Sequence, residues 1–186
     1  MSEPTVSEPL IFLDFDGVLN SSKFLSAKRE QAPISRKERR LVDHLMMYSL
    51  SGQDELAARR TILVDLRHLD PEPIVLLNEI VRESQAKVVV SSTWRLGYDA
   101  QGLQILLESQ GFVGEVVGKT PDMPAKQRGH EIRRWLKDNG RPLTNFVILD
   151  DDSDMGGLAD RLVKTSCKLG LEREHVEKAL EIIRRP

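Results

Sequence analysis

Short apolar runs alternate along the chain with segments of helical periodicity, a pattern typical of α/β proteins. Nearly continuous apolar runs, as found in strands buried on both faces, occupy residues 10–15, 87–91, 112–117, 145–150 and, more weakly, 161–165. Apolar side chains recur at spacings of three and four residues in segments 72–85, 129–138 and 174–185. The pattern therefore predicts a parallel sheet with helices on both of its faces.

A long insertion interrupts this alternation after the first strand. Residues 20–70 separate that strand from the next regular helix and strand, which is too long for a plain connection in a compact domain. Within residues 20–60, nine lysines and arginines stand against five aspartates and glutamates. A helical stretch at about 36–50 predicts a small, basic, mainly helical cap; a solvated amphipathic helix with ordinary surface charge is the alternative. Residues 1–9 predict a disordered tail, so residues 10–186 would form one domain.

Composition limits the class of protein. A chain of 186 residues with 40% hydrophobic and 30% charged residues can bury the core of one domain and is not disordered. Cys167 is the single cysteine, which excludes an intrachain disulfide. No apolar run approaches the roughly 18 residues of a membrane span, and the acidic start does not resemble a signal peptide. We therefore expect a soluble, cytoplasmic protein with no membrane partner; nothing in the sequence indicates its oligomeric state.

Two aspartates stand where the first strand stops. Asp14 and Asp16 occupy alternate positions at the end of the apolar run, and Gly17 permits a sharp turn directly after them. Parallel α/β sheets bind ligands beyond the carboxyl ends of their strands. Two carboxylates held close together repel each other unless a cation or a shared proton compensates. The pair therefore indicates a functional site at this edge of the sheet.

A second acidic segment ends another predicted strand. Its carboxylates belong to Asp150, Asp151, Asp152 and Asp154. If the two strands are neighbours, up to six carboxylates converge on one place, and ligation by oxygen alone favours a hard ion, with Mg²⁺ as the expected cofactor. An acidic turn or a helix cap is the alternative for each segment taken by itself.

Hydroxyl and basic side chains complete the set of candidates. Ser91 directly follows the predicted strand 87–91 and is the first choice as a donor to an anionic oxygen, with Ser92 as the second. Arg95 would either bind a phosphate or form a salt bridge. A cation is also expected to face the carboxylates, and the candidates are Lys119, Lys126 and Arg128. Arg128 immediately precedes a predicted helix that could direct it toward the strand ends.

These segments resemble, in order, the motifs of the haloacid dehalogenase (HAD) superfamily. Asp14-Phe-Asp16-Gly-Val-Leu resembles the first motif, while Ser91, Arg128 and Asp150-Asp151 resemble the second, third and fourth. The segments Phe-Asp-Gly-Val-Leu-Asn, Val-Ser-Ser-Thr-Trp-Arg and Leu-Asp-Asp-Asp-Ser-Asp are similar to those of the branch found in Swiss Army Knife RNA repair proteins. Arg128 replaces the usual lysine. The resemblance implies a Rossmann-like fold with a cap inserted after the first strand.

The resemblance also implies roles for the motif residues. Asp14 would be the nucleophile that forms an aspartyl-phosphate, and Asp16 the general acid and then the general base. Mg²⁺ would be held by the side chains of Asp14 and Asp150, by either Asp151 or Asp154, and by the main-chain carbonyl of Asp16. Ser91 and Arg128 would bind the phosphoryl oxygens. The expected function is Mg²⁺-dependent hydrolysis of a phosphomonoester.

The substrate is left open among several classes. RNA-repair kinship and the basic insertion favour a phosphorylated polynucleotide end, 3′ or 5′, contacted by the cap. A nucleotide or another small phosphomonoester is the alternative with the same mechanism. Two alternatives from other classes are a phospho-accepting signalling domain and a non-catalytic nucleic-acid-binding or adaptor module that keeps the fold.

Overall fold

The apolar runs of the sequence form one parallel sheet. The computed structural model describes residues 8–27, 32–50, 52 and 54–185. Their strands are β1 (Leu10–Leu13), β2 (Lys87–Val90), β3 (Val116–Lys119), β4 (Phe146–Asp150) and β5 (Leu162–Lys164). The strands pair in the order β3-β2-β1-β4-β5, and every pairing is parallel. The predicted α/β architecture is thereby confirmed; residues 1–7 of the predicted tail lie outside the described residues.

The connections between strands are mainly helical. The α-helices are α1 (Ser22–Ala27), α2 (Arg36–Leu45), α3 (Glu55–His68), α4 (Pro71–Ser84), α5 (Ala100–Ser109), α6 (Arg128–Asp138) and α7 (Arg173–Arg184). Two 3₁₀ helices span Thr93–Leu96 and Gly156–Arg161. Among the described helices, none combines the length and apolar character that crossing a membrane requires.

Different helices cover the two faces of the sheet. Along β1, Ile11 and Leu13 belong to one buried apolar cluster, whereas Leu10 and Phe12 belong to a second. The first cluster includes buried side chains of α4, α5 and α7, and the second includes those of α6 and of the 3₁₀ helix Gly156–Arg161. Because neither face of β1 meets water, its sequence is apolar at consecutive rather than alternate positions.

The insertion between β1 and α4 packs onto the same core. Val42 and Leu45 of α2, together with Ile62 and Leu66 of α3, are buried in the cluster that contains one face of the sheet. A capping box at Ser35 starts α2, which ends at Leu45 rather than near residue 50. The described part of the insertion is therefore mainly helical, and its action as a cap stays a prediction.

The third strand begins later than its apolar run suggests. The run at 112–117 predicts a strand, yet β3 starts at Val116. The side chain of Asn78 on α4 donates to the carbonyl of Gly111 (2.9 Å) and accepts from the N–H of Val113 (2.9 Å). These bonds take up backbone groups that a neighbouring strand would otherwise pair. Residues 112–115 are consequently a loop, in which Phe112 is buried in the core and Val113 is exposed.

Candidate active site

The ends of three adjacent strands bring the predicted residues together. In the sheet, Leu13 lies beside both Val90 of β2 and Leu149 of β4. The next residues, Asp14, Ser91 and Asp150, therefore emerge side by side at the carboxyl edge. The N–H of Asp14 donates to the carbonyl of Leu149 (3.0 Å), and the N–H of Ser91 donates to the carbonyl of Leu13 (2.9 Å). The sheet thus holds both acidic segments in one place.

Three carboxylates form a tight group at this edge. Asp14, Asp150 and Asp151 each offer an oxygen within 4.8 Å of the others. Asp150 is fully buried, and Asp14 is 5% exposed. Burial and the neighbouring Asp14 raise the pKa of Asp150 to about 7. Burial, followed by the proximity of Asp14, also raises the pKa of Asp151, and burial raises that of Asp14 despite the opposing charge of Arg128.

One guanidinium faces this carboxylate group. Arg128, the first residue of α6, places Nη1 3.2 Å from Oδ1 of Asp14 and Nε 3.4 Å from Oδ2 of Asp150. Its Nη1 also donates to the carbonyl of Ser91 (2.7 Å). Burial lowers the pKa of Arg128, but the two aspartates outweigh this effect and raise it. Arg128 is therefore a charged group held at the junction of the acidic segments.

Asp154 anchors Arg128 instead of joining the carboxylate group. Oδ2 of Asp154 accepts a hydrogen bond from the backbone N–H of Arg128 (2.9 Å). The main-chain carbonyl of Asp154 accepts one from the backbone N–H of Gly129 (3.3 Å). A Cβ on Gly129 would lie 2.0 Å from the carbonyl oxygen of Met155, so only glycine allows α6 to approach this loop so closely. Of the two alternatives for the further metal ligand, the structure groups Asp151 with Asp14 and leaves Asp154 outside that group.

The carboxylate group fits a hard divalent cation. Three carboxylates and one guanidinium leave a net charge of −2 when all are ionised. Two like charges about 4 Å apart repel by roughly 4 kcal/mol at an effective dielectric constant of about 20. In addition, Oδ2 of Asp150 is buried and accepts no hydrogen bond from the described residues. An all-oxygen donor set with this excess charge suits Mg²⁺.

Gly17 makes room for Asp151. Its φ is +69°, a conformation that disfavours residues with a side chain, and a Cβ at this position would lie 2.3 Å from Cγ of Asp151. The hydroxyl of Thr165 donates to the carbonyl of Gly17 (2.7 Å), which fixes the turn to the β5 side of the sheet. The glycine after the first two aspartates therefore allows the second acidic segment to pack directly against the first.

Asp16 is held apart from the buried carboxylates. Its side chain is exposed; Oδ1 accepts from the amide of Asn20 (2.8 Å) and Oδ2 from the indole N–H of Trp94 (3.0 Å). The ring of Trp94 packs edge-on against Phe15, with ring centroids 5.2 Å apart. Sequence reasoning assigned no contact to Asn20 or Trp94. A tryptophan after a strand gives no signal of its own, and the contact with Asp16 spans 78 positions.

The two serines have different surroundings. Oγ of Ser91 is buried and has no hydrogen-bond partner among the described residues. The Ser92 hydroxyl interacts with the carboxylate of Asp14, lowering its pKa, and also accepts from the N–H of Trp94 (3.4 Å). A buried hydroxyl without a partner is costly. The orphaned hydroxyl of Ser91, next to Asp14 in the sheet register, therefore suits a ligand oxygen.

A family model matches most of the chain. A family model described as "HAD domain in Swiss Army Knife RNA repair proteins" matches residues 10–176. The chain belongs to this family. A haloacid dehalogenase-like family hydrolase from Streptococcus pneumoniae is similar in structure, with a TM-score of 0.44 and 17% identity over 92% of this chain and 90% of that one. A comparison with curated proteins finds no significant match. The match of the family model to residues 10–176 confirms the predicted HAD superfamily.

The other basic candidates of this HAD domain serve elsewhere. Lys126 is exposed. Nζ of Lys119 donates to the carbonyls of Arg95 (2.6 Å) and Tyr98 (2.7 Å), so it supports the backbone after β2. Arg128 is consequently the candidate that contacts the carboxylate group in the described structure.

Arg95 is a structural residue, so its phosphate-binding alternative is not supported. Its side chain is 4% exposed and forms a 2.8 Å ion pair with Glu131 of α6. Its remaining N–H groups donate to the carbonyls of Ser91, Ser92, Thr120 and Pro121. All five donors of the guanidinium are therefore used within the protein. The residue ties the end of β2 to α6, and none of its donors is left for a phosphate.

Proposed function

We propose that this HAD domain is a Mg²⁺-dependent phosphomonoester hydrolase that acts through an aspartyl-phosphate. The observation that carries the proposal is the division between its two aspartates. Asp14 lies buried against Arg128, Asp150 and Asp151, whereas Asp16 lies exposed with Asn20 and Trp94 as partners. A nucleophilic carboxylate must be ionised, which the charge of Arg128 favours at Asp14, whereas a proton carrier must be reachable by the leaving oxygen and by water, as the exposed Asp16 is.

In the first step, an oxygen of Asp14 attacks the phosphorus atom. The bond between phosphorus and the leaving oxygen breaks, and Asp16 gives its proton to that oxygen. In the second step, ionised Asp16 takes a proton from a water molecule whose oxygen attacks the aspartyl-phosphate. The bond between phosphorus and Asp14 breaks, which releases phosphate, restores the carboxylate of Asp14 and leaves Asp16 protonated for the next cycle.

Mg²⁺ would be held by the carboxylates of Asp14, Asp150 and Asp151 and by the main-chain carbonyl of Asp16. When bound, the ion offsets the repulsion between the carboxylates and the phosphate and polarises a phosphoryl oxygen. Arg128 adds a positive charge beside Asp14, and Ser91 offers an unpartnered hydroxyl. These two side chains would donate to the phosphoryl oxygens as they gain charge in the transition state.

A phosphate-release screen tests the proposal. The domain is incubated with Mg²⁺ and 3′- or 5′-phosphorylated oligonucleotides, mononucleotides or sugar phosphates. We expect many turnovers on at least one class, loss of activity in EDTA and recovery on addition of Mg²⁺. A single turnover that leaves a lasting phospho-aspartate would instead indicate a phospho-accepting signalling domain. No release from any class would favour the non-catalytic adaptor.

Stabilisation by Mg²⁺ should depend on pH. Asp150 has a pKa of about 7 in the fold, against 3.8 as the ordinary value. Its contribution to the stability of the metal-free domain is therefore fully present below about pH 3.8 and lost as pH rises through about 7. Since metal binding needs ionised carboxylates, Mg²⁺ at about 100 times its Kd should add roughly 2.7 kcal/mol at pH 8, or about 5–10 °C in Tm, and much less at pH 5.

Differential scanning fluorimetry with and without Mg²⁺ at the two pH values measures this effect. Asp150→Asn is the matched control, because it removes the titrating group and should abolish the Mg²⁺-dependent shift. An equal shift at pH 5 and pH 8 would contradict the role of Asp150 as a ligand.

We further propose that the basic insertion contacts a polynucleotide substrate. Arg36, Lys37, Arg39 and Arg40 of α2 are exposed, and none forms an ion pair with another described residue. Each phosphate contact adds about −0.7 to the slope of log K against log salt for single strands. Three contacts would therefore weaken oligonucleotide binding by about 20-fold between 50 and 200 mM salt.

KM measured across this salt range tests the contact. Replacing Arg36, Lys37 and Arg40 by glutamine should flatten the salt dependence for an oligonucleotide and leave a mononucleotide nearly unaffected. The matched control replaces three exposed basic residues at the other end of the chain, namely Arg173, Lys178 and Arg185. The same salt slope in both triple variants would show that α2 does not touch the substrate.

A further inference from the structure

A cavity outside the carboxylate group lies between α3 and the 3₁₀ helix that follows β2. Its volume is about 230 Å³. Ala58 and Ile62 of α3 form part of one wall, and Trp94 and Tyr98 form part of the other. Among the described lining residues, Asp65 is the single carboxylate, Ser49, Thr61 and Thr93 contribute hydroxyls, and no lysine or arginine is present. The cavity is therefore mainly apolar and aromatic, with three hydroxyls and one carboxylate in its lining.

This cavity adjoins the side of the site where the leaving group departs. Trp94 lines the cavity, and the same indole donates its N–H to Oδ2 of Asp16 (3.0 Å). Burial raises the pKa of Asp65, and the nearby charge of Asp16 adds to that effect. Since Asp16 is the group that would protonate the leaving oxygen, the part of the substrate beyond that oxygen would extend toward Trp94 and Asp65.

The chemistry of the lining excludes some ligands and favours others. A second phosphate would be repelled by Asp65 and would find no basic partner among the described lining residues. The hydroxyl of Tyr98 donates to Oδ2 of Asp65 (2.6 Å), which fixes the carboxylate. A carboxylate can accept about four hydrogen bonds, so Asp65 can still accept from N–H groups of a ligand. A flat ring with N–H groups on its edge would fill an aromatic, apolar cavity with one carboxylate.

We propose that this cavity binds the nucleobase next to the scissile phosphate, with N–H groups of the base donating to Asp65. The inference rests on the proposed function and specifies its substrate as a phosphorylated nucleoside, either free or at the end of an RNA strand. Guanine matches Asp65 better than uracil, because its ring N–H and its amino group lie side by side and can donate to both carboxylate oxygens. Trp94 would thus link base binding to the position of Asp16.

Kinetics of phosphate release test the cavity. With Mg²⁺ present, we expect kcat/KM to be at least tenfold higher for guanosine monophosphate than for ribose phosphate. Asp65→Asn should reduce this advantage by about tenfold and change the ribose phosphate value less than twofold. Tyr98→Phe, which removes the hydroxyl that fixes Asp65, should act in the same direction. Asp43→Asn is the matched control, since it removes an exposed carboxylate of α2 that lies outside the cavity.

A binding measurement separates failure of the cavity from failure of the proposed function. Guanosine, which carries no phosphate, should bind to the wild-type domain about tenfold more tightly than to Asp65→Asn by calorimetry, even if no phosphate is ever released. Equal kcat/KM for guanosine monophosphate and ribose phosphate, or equal guanosine binding by both proteins, would overturn the cavity assignment. Oligonucleotides ending in phosphorylated guanosine or uridine, compared with the mononucleotides, distinguish an RNA end from a free nucleotide as the source of the base.

Discussion

An Asp14→Asn variant should lose at least about 10⁴-fold in kcat while remaining folded. The amide has the shape of the carboxylate but cannot act as the nucleophile, so no aspartyl-phosphate forms. Its thermal stability without metal should equal or exceed that of the wild type. Burial raises the pKa of Asp14, which means that the fold disfavours the ionised form. A neutral side chain also relieves the repulsion with Asp150 and Asp151.

Single-turnover phosphate release and differential scanning fluorimetry measure the two halves of this prediction. Asp152→Asn is the matched control: this exposed aspartate lies two residues beyond Asp150, outside the carboxylate group, and should retain activity. Substantial residual release by Asp14→Asn, or labelling of another residue when the phospho-enzyme is trapped with acid, would remove Asp14 from the role of nucleophile.

The position of the site was predictable because it depends on strand ends. An apolar strand followed by Asp14, and another that ends at Asp150, require only that the two strands be neighbours in a parallel sheet. The pairing of Leu13 with Leu149 provides this. The motif order also identified Arg128, which the structure places beside both carboxylates. Site residues at the ends of strands and helices could therefore be predicted from the sequence.

The sequence left open the roles of residues whose positions depend on irregular backbone. The sequence allowed Arg95 either to bind a phosphate or to form a salt bridge. The groups that engage it are the carbonyls of Thr120 and Pro121 and the carboxylate of Glu131, which lie 25 to 36 positions away. The choice between Asp151 and Asp154 depends on the turn after β4, in which Asp154 binds the start of α6. Helical periodicity does not describe such turns.

The cavity was beyond sequence reasoning for a related reason. It needs α3, which the sequence pattern does not specifically predict because basic and apolar residues are mixed along Glu55–His68. It also needs the 3₁₀ helix Thr93–Leu96, a type of short element without an apolar periodicity. The contact of Asp65 on α3 with Tyr98, two residues after the 3₁₀ helix, spans 33 positions. Only the folded chain brings them together.

The two aspartates of the first motif owe their different surroundings to a change of backbone direction. Asp14 continues the line of β1 and stays between β2 and β4, where it meets Arg128. Gly17 turns the chain immediately afterwards, so Asp16 faces solvent, Asn20 and Trp94. A buried, charge-compensated nucleophile and an exposed, hydrogen-bonded proton carrier thus arise two residues apart in one segment.

This division predicts a distinctive result for Asp16→Asn. With a nucleotide, whose leaving oxygen needs a proton, kcat should fall by about 10²–10⁴-fold. With p-nitrophenyl phosphate, whose leaving group departs as a stable anion, formation of the aspartyl-phosphate should be much less affected. Its hydrolysis should still be slow, because Asp16 no longer takes the proton from water. Rapid mixing should therefore show a burst of about one p-nitrophenolate per active site, followed by slow turnover.

Trp94→Phe provides the comparison for this experiment, because it keeps an aromatic ring against Phe15 but removes the N–H that donates to Oδ2 of Asp16. Since Asp16 itself remains able to transfer a proton, we expect a loss of only about tenfold in kcat and no burst. Equal losses on both substrates in Asp16→Asn, without a burst, would show that Asp16 does not carry the proton. In that case its exposed position beside Asn20 and Trp94 would have to serve substrate binding instead.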